Sequence, residues 1–421
     1  DPSHGIDMIA EVCIADGLLV AVGAVPAGFV ADRVLEATGK LVLPGLVDLS
    51  ARVTTSDFNS LQSIENEMCA ALAGGVTSMV LEPDLNLLLD TPEQVSKLKE
   101  RTRAQHPLNV YPLGAMTMGL AGQGLTEMVG LTEAGCVAFS QGNTPVFDTR
   151  MLLSAMQYAK TFDYALWLRP QDAWLSQGGV VASGAYASRL GLPAIPVEAE
   201  TVALQTLLSL QRVTGVRLHL CRLSSASAIT MVRQAKKEGL PITCDVAANH
   251  VHLTDVDIGF YDSNFLLEPP LRGQRDRDAI RLGLQDGTID AICSAHVPVT
   301  AQHKQVAFAN AMPGSTGLEL LLSLTFKWAQ EARVPLLDAL KLVTSGPGQV
   351  LGSSTSLLAQ PGCLALGASA DVCLVDPDEY WMVNRANLVG HSEQTPFVDR
   401  ELPGRVCATV LRGQVVWERI Q

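Results

Sequence analysis

Histidine residues with metal-ligand spacing are the first candidates for chemistry in this sequence. His250 and His252 form a His-x-His pair, and His296 follows a predicted strand. Imidazole nitrogens are common zinc ligands, and a bound zinc ion would activate water for hydrolysis. The chain has no Gly-x-Ser-x-Gly elbow, P-loop or dinucleotide-binding fingerprint that would indicate another chemistry. A further histidine, His219, lies inside a predicted strand, where we expect a hydrogen-bonded core residue.

The elements that must position these side chains follow a β/α alternation. Eight short apolar strands are separated by amphipathic helical stretches, which favours a (β/α)₈ TIM barrel within the α/β class over an open sheet. The predicted strands span residues 41–49, 76–81, 109–116, 136–140, 165–168, 217–223, 242–246 and 291–295. In such a barrel the residues that follow the strands form the functional site.

Both chain ends predict additional strands outside the barrel. Residues 9–22 read as strands that turn at Asp16-Gly17, and residues 372–375, 406–411 and 414–418 alternate in the same way. The N-terminal strands have no partner nearby in the sequence. We therefore predict one small composite β-domain from residues 1–40 and 353–421, beside a barrel of residues 41–352.

Composition excludes several classes of function. The chain has 421 residues, of which 48% are apolar and 17% charged, with a net charge of −13. Because no cluster of lysines and arginines exceeds a pair, we expect neither nucleic acid nor anionic membranes as partners. No apolar run reaches the ~18 residues of a spanning helix. The nine cysteines form no Cys-x-x-Cys pair, which predicts reduced thiols in the cytoplasm.

Five motifs occur in an order that resembles the amidohydrolase superfamily and, within it, dihydroorotase. They are Leu-Pro-Gly-Leu-Val-Asp at 43–48, Ala-Gly-Gly-Val-Thr at 73–77, Glu-Pro-Pro-Leu-Arg at 268–272, Asp-Gly-Thr-Ile-Asp at 286–290 and Gly-Ser-Thr-Gly-Leu-Glu at 314–319. The resemblance covers nearly the whole chain. It implies an amidohydrolase-type barrel in which zinc, held by histidines and carboxylates at the strand ends, activates water against a cyclic amide.

The resemblance also implies which positions should carry these ligands, and here the sequence departs from the family. The positions aligned with metal ligands and the general base hold Ser50, Arg52, Gln141, Gly142, Arg169, Arg222 and Ala295. Those aligned with substrate-binding residues hold Thr54, Asp84 and Val299. We therefore predict neither metal nor cofactor, and no catalytic residue.

Three arginines at former imidazole positions need an explanation of their own. We expect Arg52, Arg169 and Arg222 to exclude a cation and to pair with Asp48, Asp84 or Asp172, or to bind an anion. His250 aligns with a histidine of the family's His-His-Leu stretch, so its presence does not require a metal.

The resemblance extends to the noncatalytic dihydroorotase-like subunits that some bacteria associate with aspartate carbamoyltransferase in pyrimidine biosynthesis. It implies an inactive homologue that acts as an assembly subunit, bound to the transferase catalytic subunit and self-associated within the hetero-oligomer. Two alternatives remain. One is an amidohydrolase of altered specificity that uses His250 and His296. The other is a subunit that senses an anion or nucleotide at its arginine-lined barrel mouth.

Overall fold

The computed structural model describes residues 1–53, 61–105, 108–146, 148–352 and 361–419. Its strands are β1 Glu11–Ala15, β2 Leu18–Gly23, β3 Leu41–Pro44, β4 Leu46–Ala51, β5 Val76–Leu81, β6 Asn109–Ala115, β7 Ala138–Ser140, β8 Ala165–Leu168, β9 Val181–Ala182, β10 Ala194–Ile195, β11 Arg217–Leu220, β12 Ile242–Ala247, β13 Ala291–Cys293, β14 Val372–Met382, β15 Glu401–Leu411 and β16 Gln414–Glu418. Its α-helices are α1 Leu61–Ala73, α2 Pro92–Gln105, α3 Met128–Ala134, α4 Thr149–Thr161, α5 Ala173–Ser176, α6 Ala185–Leu190, α7 Glu198–Thr214, α8 Ala226–Lys237, α9 Ala248–His252, α10 Gln274–Gln285, α11 Ala301–Lys304, α12 Leu321–Ala332, α13 Leu336–Lys341 and α14 Ser345–Leu351.

Helices α2 and α8 begin at caps that the sequence supplies. The side chain of Ser225 accepts a hydrogen bond from the backbone N–H of Ala228 at 3.1 Å and starts α8. Before α2, the side-chain oxygen of Gln94 accepts from the backbone N–H of Thr91 at 3.1 Å. Such bonds satisfy N–H groups that a helix start leaves unpaired. Among the described residues, no helix is both long and apolar enough to cross a membrane.

Eight parallel strands form the predicted barrel, in the order β4-β5-β6-β7-β8-β11-β12-β13. The first and last strands meet where the backbone N–H of Arg52 donates to the His296 carbonyl at 2.9 Å and the N–H of His296 donates to the Ser50 carbonyl at 3.1 Å. Side chains such as Leu49 and Trp167 fill the interior. The predicted (β/α)₈ barrel is therefore confirmed, and its strand ends converge on one mouth.

The two chain ends build the predicted β-structure together. Strands β16, β15, β14 and β3 form an antiparallel sheet, and the β1–β2 hairpin contacts the segment that precedes β14 through a hydrogen bond from the Leu19 N–H to the Ala368 carbonyl at 3.0 Å. The sheet from both ends is thus confirmed. The domain division at residues 40 and 352 stays a prediction.

One predicted strand is wrong in its extent. Residues 41–49 do not form a single barrel strand, because β3 pairs with β14 in the terminal sheet and only β4 enters the barrel. The chain passes between the two sheets at Gly45, where a Cβ would lie 2.1 Å from the hydroxyl of Thr77. Pro44-Gly45 interrupts the apolar run at this crossing, but the pairing of its two halves with different sheets depends on strands that are distant in the sequence.

Candidate functional site

A buried carboxylate lies at the centre of the barrel mouth. Glu82, directly after β5, accepts a hydrogen bond from the Ser50 hydroxyl at 2.6 Å through Oε1. The same oxygen is 3.0 Å from Nη1 of Arg222, and Oε2 is 3.1 Å from Nη2 of Arg52. Arg52 and Arg222, which occupy positions aligned with histidines of the family, therefore share one carboxylate.

A second carboxylate extends this network to the other side of the mouth. Glu268 pairs with Nη2 of Arg169 at 2.5 Å and accepts from the side-chain amide of Asn143 at 2.9 Å. The Asn143 side-chain oxygen in turn accepts from Nη2 of Arg222 at 2.8 Å. The structure thus brings Ser50, Arg52, Arg169 and Arg222 together, as the sequence predicted.

The charges in this network stabilise one another. Burial alone would raise the pKa of Glu82, but the guanidiniums of Arg222 and Arg52 outweigh burial and hold that pKa at about 2. Burial favours a lower pKa for Arg222, yet Glu82 raises it above its ordinary value. Glu82 and Arg222 are therefore both charged at neutral pH, and each depends on the other.

The predicted pairing of the arginines with carboxylates is confirmed, but the predicted partners are wrong. Asp48 instead accepts from the backbone N–H of Ser294 at 2.7 Å and from its hydroxyl at 2.6 Å. Asp84 accepts from two backbone N–H groups of its own loop, and Asp172 caps α5. Short aspartate side chains bond readily to nearby backbone groups, whereas glutamates reach across the mouth. The sequence did not single out Glu82, which directly follows β5, or Glu268, which lies in the Glu-Pro-Pro-Leu-Arg motif between α9 and α10.

The remaining predicted positions have ordinary structural contacts. Gln141 accepts from the Thr117 hydroxyl at 2.9 Å and donates to the Leu120 carbonyl at 2.7 Å. Gly142 has a φ of 59°, and a Cβ there would lie 2.3 Å from the Pro83 carbonyl oxygen, so glycine is required. Val299 is buried. The predicted position Thr54 lies outside the described residues.

The three histidines of the metal hypothesis make separate contacts. His250 bonds to the Pro270 carbonyl at 3.3 Å, and His252 bonds to the Leu324 carbonyl at 2.9 Å. Burial lowers the pKa of each to about 4. His296 pairs with Glu67 at 2.6 Å. In the part of the chain that the structure describes, none of the three joins a group with metal-ligand geometry.

His219 is the core residue that the sequence predicted. It is 1% exposed, lies 2.8 Å from the Thr243 hydroxyl and 2.9 Å from Asp245, and its ring centroid is 4.4 Å from that of Trp167. With Cys221 and Asp245 it forms a buried group whose ligand atoms lie within 4.8 Å of one another. Burial and the charge of Asp245 raise the pKa of the Cys221 thiol well above its ordinary value, so the thiol is protonated at neutral pH.

The barrel mouth does not fit the zinc centre that the resemblance implies. Zinc requires histidine, thiolate or carboxylate ligands. Here Arg52, Arg169 and Arg222 surround Glu82 and Glu268, which are already engaged in ion pairs. A guanidinium about 4 Å from a divalent ion, at an effective dielectric constant near 20, costs roughly 8 kcal/mol of repulsion. These arginines therefore oppose a cation.

Two residues at the mouth adopt backbone conformations that glycine prefers. Arg222 has a φ of 50° and Ala295 has a φ of 47°, each just beyond the end of a barrel strand. In this left-handed backbone region, a residue with a Cβ costs about 1–2 kcal/mol of conformational free energy. Strain of this kind is concentrated at functional sites.

Replacing Ala295 with glycine should raise the free energy of unfolding by about 0.5–1 kcal/mol, because it removes this strain. Urea unfolding of the two proteins measures the difference. The control is Ala247→Gly, at a φ of −73°, which should lose stability. An equal loss in both variants would contradict the argument.

Known proteins with similar sequences show the family of this chain. A family model described as Dihydro-orotase-like matches residues 39–228. A dihydroorotase-like protein from Pseudomonas aeruginosa is 39% identical over 99% of this chain and 97% of its own length. The chain belongs to the dihydroorotase-like family. Another member of the dihydroorotase-like family, a dihydroorotase from Citrifermentans bemidjiense, is 35% identical over 99% of this chain and 97% of its own.

Solved hydantoinase structures share the fold of this dihydroorotase-like chain. The L-hydantoinase of Arthrobacter aurescens superposes with a TM-score of 0.85 at 22% identity, covering 97% of this chain and 92% of its own. At this identity the likeness concerns the fold. It extends over 97% of this dihydroorotase-like chain.

Proposed function

We propose that this dihydroorotase-like chain is a catalytically inactive, cytoplasmic subunit that supports the assembly of an aspartate carbamoyltransferase complex in pyrimidine biosynthesis. The observation that carries the proposal is the network of Arg52, Arg169 and Arg222 with Glu82 and Glu268 at the barrel mouth. Ion pairs fill the place in which a hydrolase of this family would activate water.

The proposed inactivity follows from the chemistry of the reaction. Hydrolysis of a cyclic amide needs a nucleophilic water and a base that accepts its proton. The network opposes a divalent cation, and Ala295 offers no proton acceptor at the position aligned with the base. Removing several members of a catalytic unit leaves little residual activity, because they act together.

An intact fold without this chemistry favours a role based on contacts. The ion pairs join the ends of β4, β5 and β11 around Glu82 and tie the end of β8 to Glu268, and so hold the barrel mouth together without a metal. The named partner rests on the resemblance to transferase-associated subunits. We expect the contact surface on outer helices or the terminal sheet, away from the mouth.

Size-exclusion chromatography with light scattering tests the assembly role. The chain and the aspartate carbamoyltransferase catalytic subunit of the same organism should elute together, at a mass above either alone, when mixed at micromolar concentrations. The variant Asp84→Asn, at the barrel mouth, should assemble as the wild type does. Two separate species, with unchanged mass and activity of the transferase, would refute the proposal.

A further inference from the structure

A cavity lies beside the arginine–glutamate network, next to the loop that follows β8. It has a volume of about 250 Å³. Its polar lining includes Arg169, Gln171, Glu200, Arg222 and Arg272. Pockets for drug-sized ligands have volumes of about 300–1,000 Å³, so this arginine cavity suits a smaller molecule.

Several polar atoms of the arginine cavity have no partner among the described residues. Nε of Arg169 and Nε of Arg222 lack acceptors, and Oε1 of Gln171 and Oε2 of Glu200 lack donors. The side chains of Arg169 and Arg222 are only 4% and 2% exposed. Buried polar atoms are normally hydrogen-bonded, so unpaired donors and acceptors around one cavity indicate a missing ligand.

Arg272 contributes a further donor edge. Its Nε donates to the Ser224 hydroxyl at 2.8 Å, while its Nη2 is 3.9 Å from Oε2 of Glu200, beyond hydrogen-bond distance. Within the described residues no acceptor binds the terminal nitrogens of this buried arginine. A planar guanidinium edge whose terminal N–H groups have no acceptor can bind a carboxylate through two parallel hydrogen bonds.

The charges around the cavity leave a positive surplus. Its lining holds three arginines, at 169, 222 and 272, and two glutamates, at 200 and 268. Asp245 lies beneath, hydrogen-bonded to His219 and to the backbone N–H of Arg222. The lining side chains therefore carry one more positive than negative charge, which favours a ligand with a net charge of −1.

We propose that the arginine cavity binds a free acidic α-amino acid. Its carboxylates accept hydrogen bonds from Arg169, Arg222 and Arg272. Its ammonium group donates to Glu200 and Gln171. The net charge of −1 on such a ligand balances the surplus positive charge. This binding site is independent of the proposed assembly role, because it needs no partner chain.

Isothermal titration calorimetry on the full chain tests this binding with five probes. L-glutamate and L-aspartate carry every group that the cavity requires, glutarate lacks the ammonium, L-alanine lacks the second carboxylate, and inorganic phosphate is an anion with none of these groups. At least one acidic amino acid should bind with an affinity at least tenfold above those of glutarate and alanine. Equal binding of glutarate, tighter binding of inorganic phosphate, or no binding at millimolar concentrations would overturn the proposal.

Two variants locate the site. Arg272→Lys keeps the charge but loses the planar donor edge, and Gln171→Ala removes one acceptor from a partly exposed position that folding should tolerate. Each should weaken binding of the better amino acid at least fivefold. The control Arg233→Lys, in a surface pair with Asp286, should bind as the wild type does. If Arg272→Lys does not fold, the binding affinity of Gln171→Ala alone tests the location of the site. Unchanged binding of the amino acid to Gln171→Ala would overturn the assignment.

Discussion

Replacing Arg222 with methionine should lower the free energy of unfolding by about 3–5 kcal/mol, the loss expected when one partner of a buried ion pair is removed. Arg222 is 2% exposed and lies 3.0 Å from Glu82, 3.0 Å from the Ser50 hydroxyl and 2.8 Å from the side-chain oxygen of Asn143. Methionine fills much of the volume but leaves Glu82 with Arg52 as its sole remaining cationic partner in the network. Chemical denaturation of both proteins gives the difference.

Two further variants separate this electrostatic effect from simple loss of packing. Arg233→Met removes an arginine from a partly exposed pair with Asp286 and should cost less than about 1 kcal/mol. Adding Glu82→Gln to Arg222→Met removes the unpaired charge and should recover part of the loss. A cost below about 1 kcal/mol for Arg222→Met would contradict the structural role of the network.

Asp48 should make stability depend on pH in the mildly acidic range. Burial raises its pKa from 3.8 to about 6, against the hydrogen bonds from Ser294. A carboxyl whose folded pKa is raised stabilises the folded state below pH 3.8, and this contribution is lost as pH rises through 6. A shift of this size corresponds to about 3 kcal/mol.

The variant Asp48→Asn isolates this contribution. Relative to the wild type, its free energy of unfolding should rise by about 2.5 kcal/mol between pH 4 and pH 7. The low pKa values of His250 and His252 act in both proteins and cancel in the difference. The control Asp286→Asn concerns a carboxyl whose pKa is lowered, so it should show no such rise. Parallel stability profiles for Asp48→Asn and wild type would contradict the assignment.

Local signals in the sequence predicted most of the barrel. The strands at 76–81 and 165–168 occur as predicted, and the helix after Ser225 begins at its cap. These features depend on apolar runs and capping side chains within a few residues of one another. The dipeptide Pro44-Gly45 marks the break in 41–49 locally, but the assignment of its two halves to different sheets depends on strands that are distant in the sequence.

The composition of the site was predictable, but its pairing was not. The motifs placed Arg52, Arg169 and Arg222 at strand ends, where the barrel brings them together. The choice of Glu82 and Glu268 as their partners depends on side-chain reach across the mouth. Nearby aspartates looked equally suitable in the sequence, yet they bond to the backbone and hydroxyl groups beside them.

The zinc content of the purified chain tests most directly the central claim that an arginine–glutamate network replaces the metal centre. The protein should be purified without chelators, incubated with excess zinc and dialysed before elemental analysis. We predict far less than one zinc per chain, with no interconversion of carbamoyl aspartate and dihydroorotate in the same sample. One or more zinc ions per chain that survive dialysis, and that are lost when Glu82 is replaced by alanine, would contradict the claim.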